Sequence, residues 1–200
     1  MARSRLHSDD SILDATRDLL VKGGAGAATA SAISAASGAP IGSLYHRFGS
    51  RTRLFSEVWL RSVSRFQDGL LAAAHTGGTG IERAIAAADW VVEFAARYPA
   101  ESRLLLHGSR EHLLTDAELP TETRQGLVSL NQPVTELLHR LTVEVFGTAT
   151  PQLRELLTIA VIDVPYAFVR RHLHDGTSPE PYRQLIAGTV HSLLRHPTDH

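Results

Sequence analysis

Apolar residues recur along this chain at helical spacing almost from end to end, and no segment alternates with the period of two that a strand requires. Ile12, Ala15, Thr16, Leu19 and Leu20 fall at i, i+3, i+4, i+7 and i+8, which predicts one face of a first helix. Ser8 or Ser11 is its candidate cap, with Asp9, Asp10 and Asp14 near its positive end. The run KGGAGAAT ends it. A short second helix follows from Thr29, as N-cap, to Ser37, with Ile33 and Ala36 inward. Gly38 stops that helix, and Pro40 suits the first position of a third, over about 40–47. Gly49 and Ser50 break the chain again. Ser50 caps a fourth helix, which Leu54, Val58, Val63, Phe66 and Leu70 carry to about residue 74.

HTGGTG, residues 75–80, is the most linker-like stretch. Further helices are expected over about 81–98, 100–114, 119–146, 151–174 and 179–195, divided by Pro99, TDAELP, FGTATP and HDGTSPEP. The expected class is all-α. The first quarter reads as helix, short helix, tight glycine turn, short helix, the order of a helix-turn-helix whose second short helix enters the major groove.

The stretch GAPIGSLYHRFGSRTRLF, residues 38–55, is where chemistry concentrates. Ile41, Leu44 and Phe48 fall at i, i+3 and i+7, facing a small core, while Ser43, Tyr45 and His46 point elsewhere and Arg47 ends the helix. Ser, Tyr and His offer short, directed hydrogen bonds to phosphates or base edges. Gly42 lets backbone or ligand approach closely, and Arg51 adds charge at the next helix start.

At these residues the sequence resembles the TetR family of bacterial transcriptional regulators. The resemblance rests on Thr29, on AISAASGAPIGSLYHRF (32–48) and on SRTRLF (50–55), about 50 residues of 200. The family pattern is matched at Thr29, Ile33, Gly38, Gly42, Leu44, Tyr45, Phe48 and Leu54. It is departed from at Ser34, Ser37, Pro40, Arg47 and Arg51, the last two keeping a cation-capable donor, and at Ser31 and Ala32, where an often charged pair is missing. What the resemblance implies is a DNA-binding role for Thr29, Ile41, Gly42, Ser43, Tyr45, His46, Arg47 and Arg51. Thr29, Tyr45 and Arg51 are then phosphate contacts, and Ile41, Ser43 and His46 base readers. Packing of Tyr45 on the fourth helix is the competing structural role. Arg3 and Arg5 read equally as a minor-groove arm or a solvated tail.

The resemblance further implies an N-terminal helix-turn-helix domain over 1–56, a connecting helix continuing to about 74, and a helical ligand-binding and dimerisation domain over 57–200. Pairing of the last two helices, about 151–174 and 179–195, would make a homodimer. Leu153, Leu156, Leu157, Ala160, Val161, Val164 and Phe168 stripe the first of these, and Tyr182, Leu185, Ile186, Val190, Leu193 and Leu194 the second. The same stripes also suit an intramolecular core. Pro165 is expected to kink its helix. Trp90, Phe94 and Tyr98 recur at i, i+4 and i+8, as core packing or as the wall of a pocket for an apolar or aromatic effector. His107, His112, Asn131 and Tyr166 are the polar candidates for orienting such a ligand.

Charge sharpens this picture. The chain carries a net −1, but residues 1–66 hold nine Lys/Arg against five acids, leaving +4 there and −5 in the remainder. A basic segment joined to an acidic one suits a first part that meets a polyanion. There is no cysteine, hence no disulfide or thiolate chemistry. No apolar run reaches the roughly 18 residues of a membrane span, and no signal peptide is read at the start, so a cytoplasmic protein is expected. Glu136 and His139 have the Glu-x-x-His spacing of di-iron bundles, but a second such motif is missing; solvated histidines account better for all eleven. Without a Walker loop, nucleotide-binding glycines or a serine elbow, no catalytic residue, metal or cofactor is expected. The expectation is a ligand-responsive repressor that binds a palindromic double-stranded operator as a homodimer and is released by a small molecule. The alternatives are an activator of the same family or a helical metal-binding enzyme.

Overall fold

The structure is a computed structural model that describes residues 8–107 and 120–195. Every regular element among the described residues is helical: α1 Asp9–Ala27, α2 Ala30–Ser37, α3 Ile41–Phe48, α4 Arg51–Ala73, α5 Gly80–Arg97, α6 Pro99–His107, α7 Thr121–Ser129, α8 Gln132–Phe146, α9 Pro151–Thr158, α10 Val164–His174 and α11 Arg183–Arg195. The described residues form two units. One takes in those up to Val63 and within Ala100–Ser129; the other takes in Ser64–Pro99 and those from Leu130 onward. The division falls within the long helix α4, between Val63 and Ser64.

In the first unit, the caps read from sequence are in place. Ser8 Oγ accepts from Ser11 N at 3.1 Å, Thr29 Oγ1 from Ala32 N at 3.1 Å, and Ser50 Oγ from Arg53 N at 3.1 Å. α1 is interrupted at Gly23 and Gly24, where φ and ψ leave the helical region, so the glycine run breaks the helix where expected. Ile12, Leu13, Ile33, Leu44, Phe48, Leu54, Val58 and Leu104 build one hydrophobic core, with Trp59 packed against it. Ala36, expected inward, is exposed, and Ala39 is fully buried in its place. The left-handed turn at Gly38 re-aims the chain beyond α2, so the register of that helix does not reach Ala39.

Charge ties the same unit together. Arg17 reaches Asp14 at 3.1 Å, Asp18 at 2.8 Å and the buried carboxylate of Glu101 at 3.2 Å. Burial lowers the Arg17 pKa, but the hydrogen bond to Asp18 and the charges of Asp18, Glu101 and Asp14 outweigh it and raise the value. Arg61 bridges Asp10 at 3.1 Å and Asp14 at 2.5 Å, joining α4 to α1.

The second unit packs α5 against α8, α10 and α11. Ala84, Ala87, Ala88, Val91, Val92, Phe94 and Ala95 are all buried along α5. A capping box starts this helix: Thr79 Oγ1 accepts from Glu82 N, and the Glu82 carboxylate accepts from Thr79 N at 2.8 Å and Gly78 N at 2.9 Å. Those two backbone donors hold the Glu82 carboxyl below its ordinary value. Arg183 grips Asp89 with two nitrogens and reaches Glu93 at 3.4 Å, fixing the start of α11 to α5. The hydrogen bond to Asp89 is the main cause raising the Arg183 pKa.

Three expected helices differ in detail, each because of a proline or a turn that periodicity does not register. The segment expected as one helix over 119–146 is two, separated at Leu130 and Asn131. Pro133 has no N–H to offer the carbonyl of Ser129; the next carbonyl, Leu130 O, accepts from Gln67 Nε2 at 2.7 Å. Within 151–174, the residues Ile159–Asp163 form a π-turn between α9 and α10, closed by Val164 N donating to Ile159 O. Widening the helix by one residue just before Pro165 accommodates the missing donor, so the expected kink takes this form. The last helix opens with a 3-10 turn, Glu180–Tyr182. Residues 108–114 of the expected sixth helix lie outside the described residues.

Candidate nucleic-acid interface

The α2–α3 unit is built by four local devices. Thr29 starts α2 from an extended backbone, φ −74° and ψ 157°. Gly38 ends it at φ 72°, a left-handed conformation that costs glycine nothing, with its N–H on Ser34 O at 2.9 Å. Ser37 Oγ donates to Ile33 O at 2.7 Å and accepts from Ala39 N at 3.3 Å, sealing the turn. Pro40 then stands as the N-cap of α3, one position earlier than expected.

α3 is amphipathic in the literal sense. Leu44 and Phe48 are 4% and 8% exposed and face the core, whereas Tyr45 is 52% and Ile41 41% exposed. The i, i+3, i+7 spacing puts Ile41 inward with Leu44 and Phe48; a residue in the first turn, directly after the Gly38–Pro40 corner, has no core beneath it. Gly42 and His46 are exposed and Ser43 half-buried. A Cβ at Gly42 would meet nothing within 4 Å, so its missing side chain serves no internal contact. Tyr45 and Arg51 line one small depression together with Ala30, Ile33, Leu44, Ser50 and Leu54. The Arg51 guanidinium lies 5.6 Å from the Phe55 ring centroid. Thr29 is exposed, and its hydroxyl can donate outward while accepting from Ala32.

Arg47 is different. Its Nη1 lies 3.1 Å from Asp9 Oδ1 at the start of α1, and the side chain is mostly covered. That Asp9, Asp10 and Glu101 pair with arginines carries no sequence signal. The pairs Arg47–Asp9, Arg61–Asp10 and Arg17–Glu101 join residues 38, 51 and 84 positions apart, beyond the reach of any helical spacing rule.

In the second unit the aromatic stripe is continuous. The Trp90 and Phe94 ring centroids are 5.8 Å apart, those of Phe94 and Tyr98 5.2 Å, and Phe66 meets Phe94 edge-on at 5.2 Å. Trp90 Nε1 donates to Phe66 O at 2.8 Å, and Phe94 is 2% exposed. These are the contacts of packing against α4, so Phe94 has little surface left to offer a ligand. Tyr98 lies beneath the guanidinium groups of Arg65 and Arg97. Asn131 and Tyr166 are exposed; the side chain of His107, and His112 entirely, lie outside the described residues. Glu136 accepts from Gln132 at 2.9 Å, and among the described residues no group of three or more His, Asp or Glu is arranged to hold a metal ion. No described helix is long and apolar enough to cross a membrane.

Of the two stripes, only Tyr182 and Leu185 in the last helical segment are exposed; Ile159 and Tyr166 are exposed beside the first stripe and do not belong to it. Leu157, Ala160, Val161, Val169, Ile186, Val190 and Leu194 are buried, but Ile159, Tyr166, Tyr182 and Leu185 are exposed. Tyr182 stacks on His172 at 4.8 Å and approaches Phe168 at 6.0 Å.

Comparison with known proteins bears on both units. Residues 12–58 match the family model of bacterial regulatory proteins, tetR family. No curated protein matches the chain. Among solved structures, a TetR-like transcriptional regulator from Rhodococcus sp. RHA1 aligns at 19% identity and TM-score 0.70, covering 94% of this chain and 93% of that one. PfmR, a TetR family transcriptional regulator from Thermus thermophilus, aligns at 18% identity and TM-score 0.71, with 94% and 96% covered. FadR from Bacillus subtilis, solved in complex with stearoyl-CoA, aligns at 12% identity and TM-score 0.71, with 92% and 98% covered. At such identities the likeness is one of fold.

Proposed function

We propose, for a chain that belongs to the TetR family of transcriptional regulators and is a DNA-binding regulator rather than an enzyme, that it is a repressor released from its operator by a small molecule. The observation that carries this reading is the outward face of α3, where Ile41, Gly42, Tyr45 and His46 are exposed beside Ser43 while Leu44 and Phe48 anchor the helix from behind. Thr29, Tyr45 and Arg51 take phosphates and fix register; Ile41, Ser43 and His46 meet base edges, with Gly42 allowing close approach. Two copies, joined through the faces of α9–α11 that carry Ile159, Tyr166, Tyr182 and Leu185, would present two reading helices to a near-palindromic operator. The half-sites would be about 34 Å or a small multiple apart.

The effector binds the second unit and acts only through its differential affinity for the DNA-competent and released states of the dimer. Trp90, Tyr98, Asn131 and Tyr166 remain the candidate contacts there.

Selection of bound duplexes from a random pool, followed by titration across a salt series, tests the reading. A recovered palindrome whose affinity falls steeply with salt is expected. Tyr45→Ala should weaken binding to all duplexes, and Ser43 or His46 variants should change the preferred bases. Recovery of no sequence, or a Tyr45→Ala protein that binds as the parent does, overturns it. A thermal-shift panel that includes stearoyl-CoA as one probe then searches for the effector, whose addition must lower operator occupancy.

A further inference from the structure

Given Tyr45 and Arg51 as phosphate contacts, the reading on which this rests, we infer that the small depression between them seats a deoxyribose of the operator backbone. Four side chains from three helices make its floor: Ala30 and Ile33 of α2, Leu44 of α3 and Leu54 of α4. All four are apolar; Ile33, Leu44 and Leu54 are buried and Ala30 half-buried. The rim is different. Tyr45 and Arg51 are exposed, and the Arg51 guanidinium lies 5.6 Å from the Phe55 ring centroid. Ser50, the remaining polar residue of the lining, accepts from Arg53 N at 3.1 Å through its hydroxyl oxygen, as the cap of α4.

A polar rim around an apolar floor matches the two chemistries that alternate along a DNA strand. Phosphates are charged and take hydrogen-bond donors, whereas the sugar between them offers carbon atoms at the major-groove edge of the backbone. A reading helix in the major groove brings that edge to the protein. A strand held at phosphate by Tyr45 and Arg51 lays the adjoining sugar on the floor made by Ala30, Ile33, Leu44 and Leu54. The depression is small, suited to one edge of a sugar and not to a base. The other apolar group in the major groove, the thymine methyl, belongs to the base edges, where Ile41, Ser43 and His46 stand. A hydroxyl on the seated edge of the sugar would lose water and gain no partner from the floor, which selects for the deoxy form.

Changing the sugar tests this with the protein unaltered. In the selected operator, one nucleotide at a time is replaced by its arabino counterpart, whose added 2′-hydroxyl lies on the major-groove side. In a second series, each thymidine is replaced by deoxyuridine, which removes only the base methyl. One nucleotide in each half-site is expected to lose about tenfold in affinity as the arabino form. Ala30→Leu, which fills the depression from the first turn of α2, should bind the unmodified operator more weakly and lose that sensitivity to the sugar. Thermal melts confirm folding, and Ala30→Val replaces it if the larger side chain is not accommodated. If no arabino position weakens binding, or if the sensitive one strengthens it, the inference fails. It also fails if the filled variant keeps the full arabino penalty. Loss of a deoxyuridine effect in that variant, in place of the arabino effect, would make the occupant a base methyl and overturn it too. A flat arabino scan on the parent is decisive without any variant. A parent that selects no operator overturns the DNA-reading assignment itself, a separate outcome from a flat scan on a parent that binds.

Discussion

A methyl group at Gly69 would stand 2.0 Å from Cζ2 of Trp90, so the indole occupies the space that any other residue's side chain would need. The ring cannot swing away freely, because its Nε1 donates to Phe66 O at 2.8 Å. Two effects compete at this position. Alanine in a helix interior is favoured over glycine by about 1 kcal/mol, whereas overpacking a filled site costs about 1–3 kcal/mol. A contact as close as this puts the cost at the upper end. Gly69→Ala is therefore expected to destabilise by about 2 kcal/mol in chemical denaturation, the reverse of the usual result for an exposed helix. A stabilised variant would show that α4 and α5 do not meet there.

Arg17 offers a comparison between two partners of one cation. Glu101 has a side chain 5% exposed, and Asp18 one 62% exposed. Charged hydrogen bonds away from water contribute about 1.5–3 kcal/mol, and exposed pairs about 0–1 kcal/mol after screening. Glu101→Gln should thus cost more than Asp18→Asn, by about 1 kcal/mol or more in denaturant midpoints converted at constant slope. Equal losses would place Glu101 in contact with water.

The capping box of α5 makes a prediction about acid. Glu82 is held below its ordinary pKa by the amides of Thr79 and Gly78. Its stabilising effect is therefore complete above the unfolded value, about 4.3, and is lost as pH falls through the lowered folded value. The melting temperature of the parent should exceed that of Glu82→Gln by a constant amount from pH 7 to about pH 5, and the gap should close on further acidification. A gap independent of pH would mean the carboxylate charge is not what the amides bind.

Leu185 is 57% exposed on α11, beside the exposed Tyr182. If that face joins two copies, Leu185→Glu buries an unpaired carboxylate at the interface, at a cost of about 3 kcal/mol or a hundredfold in dimer affinity. Sedimentation equilibrium should show the shift toward monomer, together with weaker operator binding. An unchanged association constant would remove this face from the dimer.

Read from sequence alone, the helix-turn-helix is almost complete. Ser8, Thr29 and Ser50 as caps, Gly38 as the stop and Leu44 with Phe48 as the buried pair all rest on interactions spanning three or four residues, the range over which chain identity and backbone geometry are directly coupled. Even there, the helical period assigns Ala36 and Ile41 to the core, and both are exposed. Pro165 is legible as a breaker, although not the π-turn at Ile159–Asp163 that precedes it, whereas the helical period runs through Pro133 and misses the separation at Leu130–Asn131.

Local sequence determined the helices, their ends and the polar face of α3, because caps, turns and amphipathic spacing act within a few residues. Only the tertiary structure decided which arginines are spoken for, that Glu101 lies buried against Arg17, and that Gly69 makes room for Trp90. Each of these relations joins side chains more than twenty positions apart, and no periodic rule carries pairing information over that distance; it is set when the helices pack.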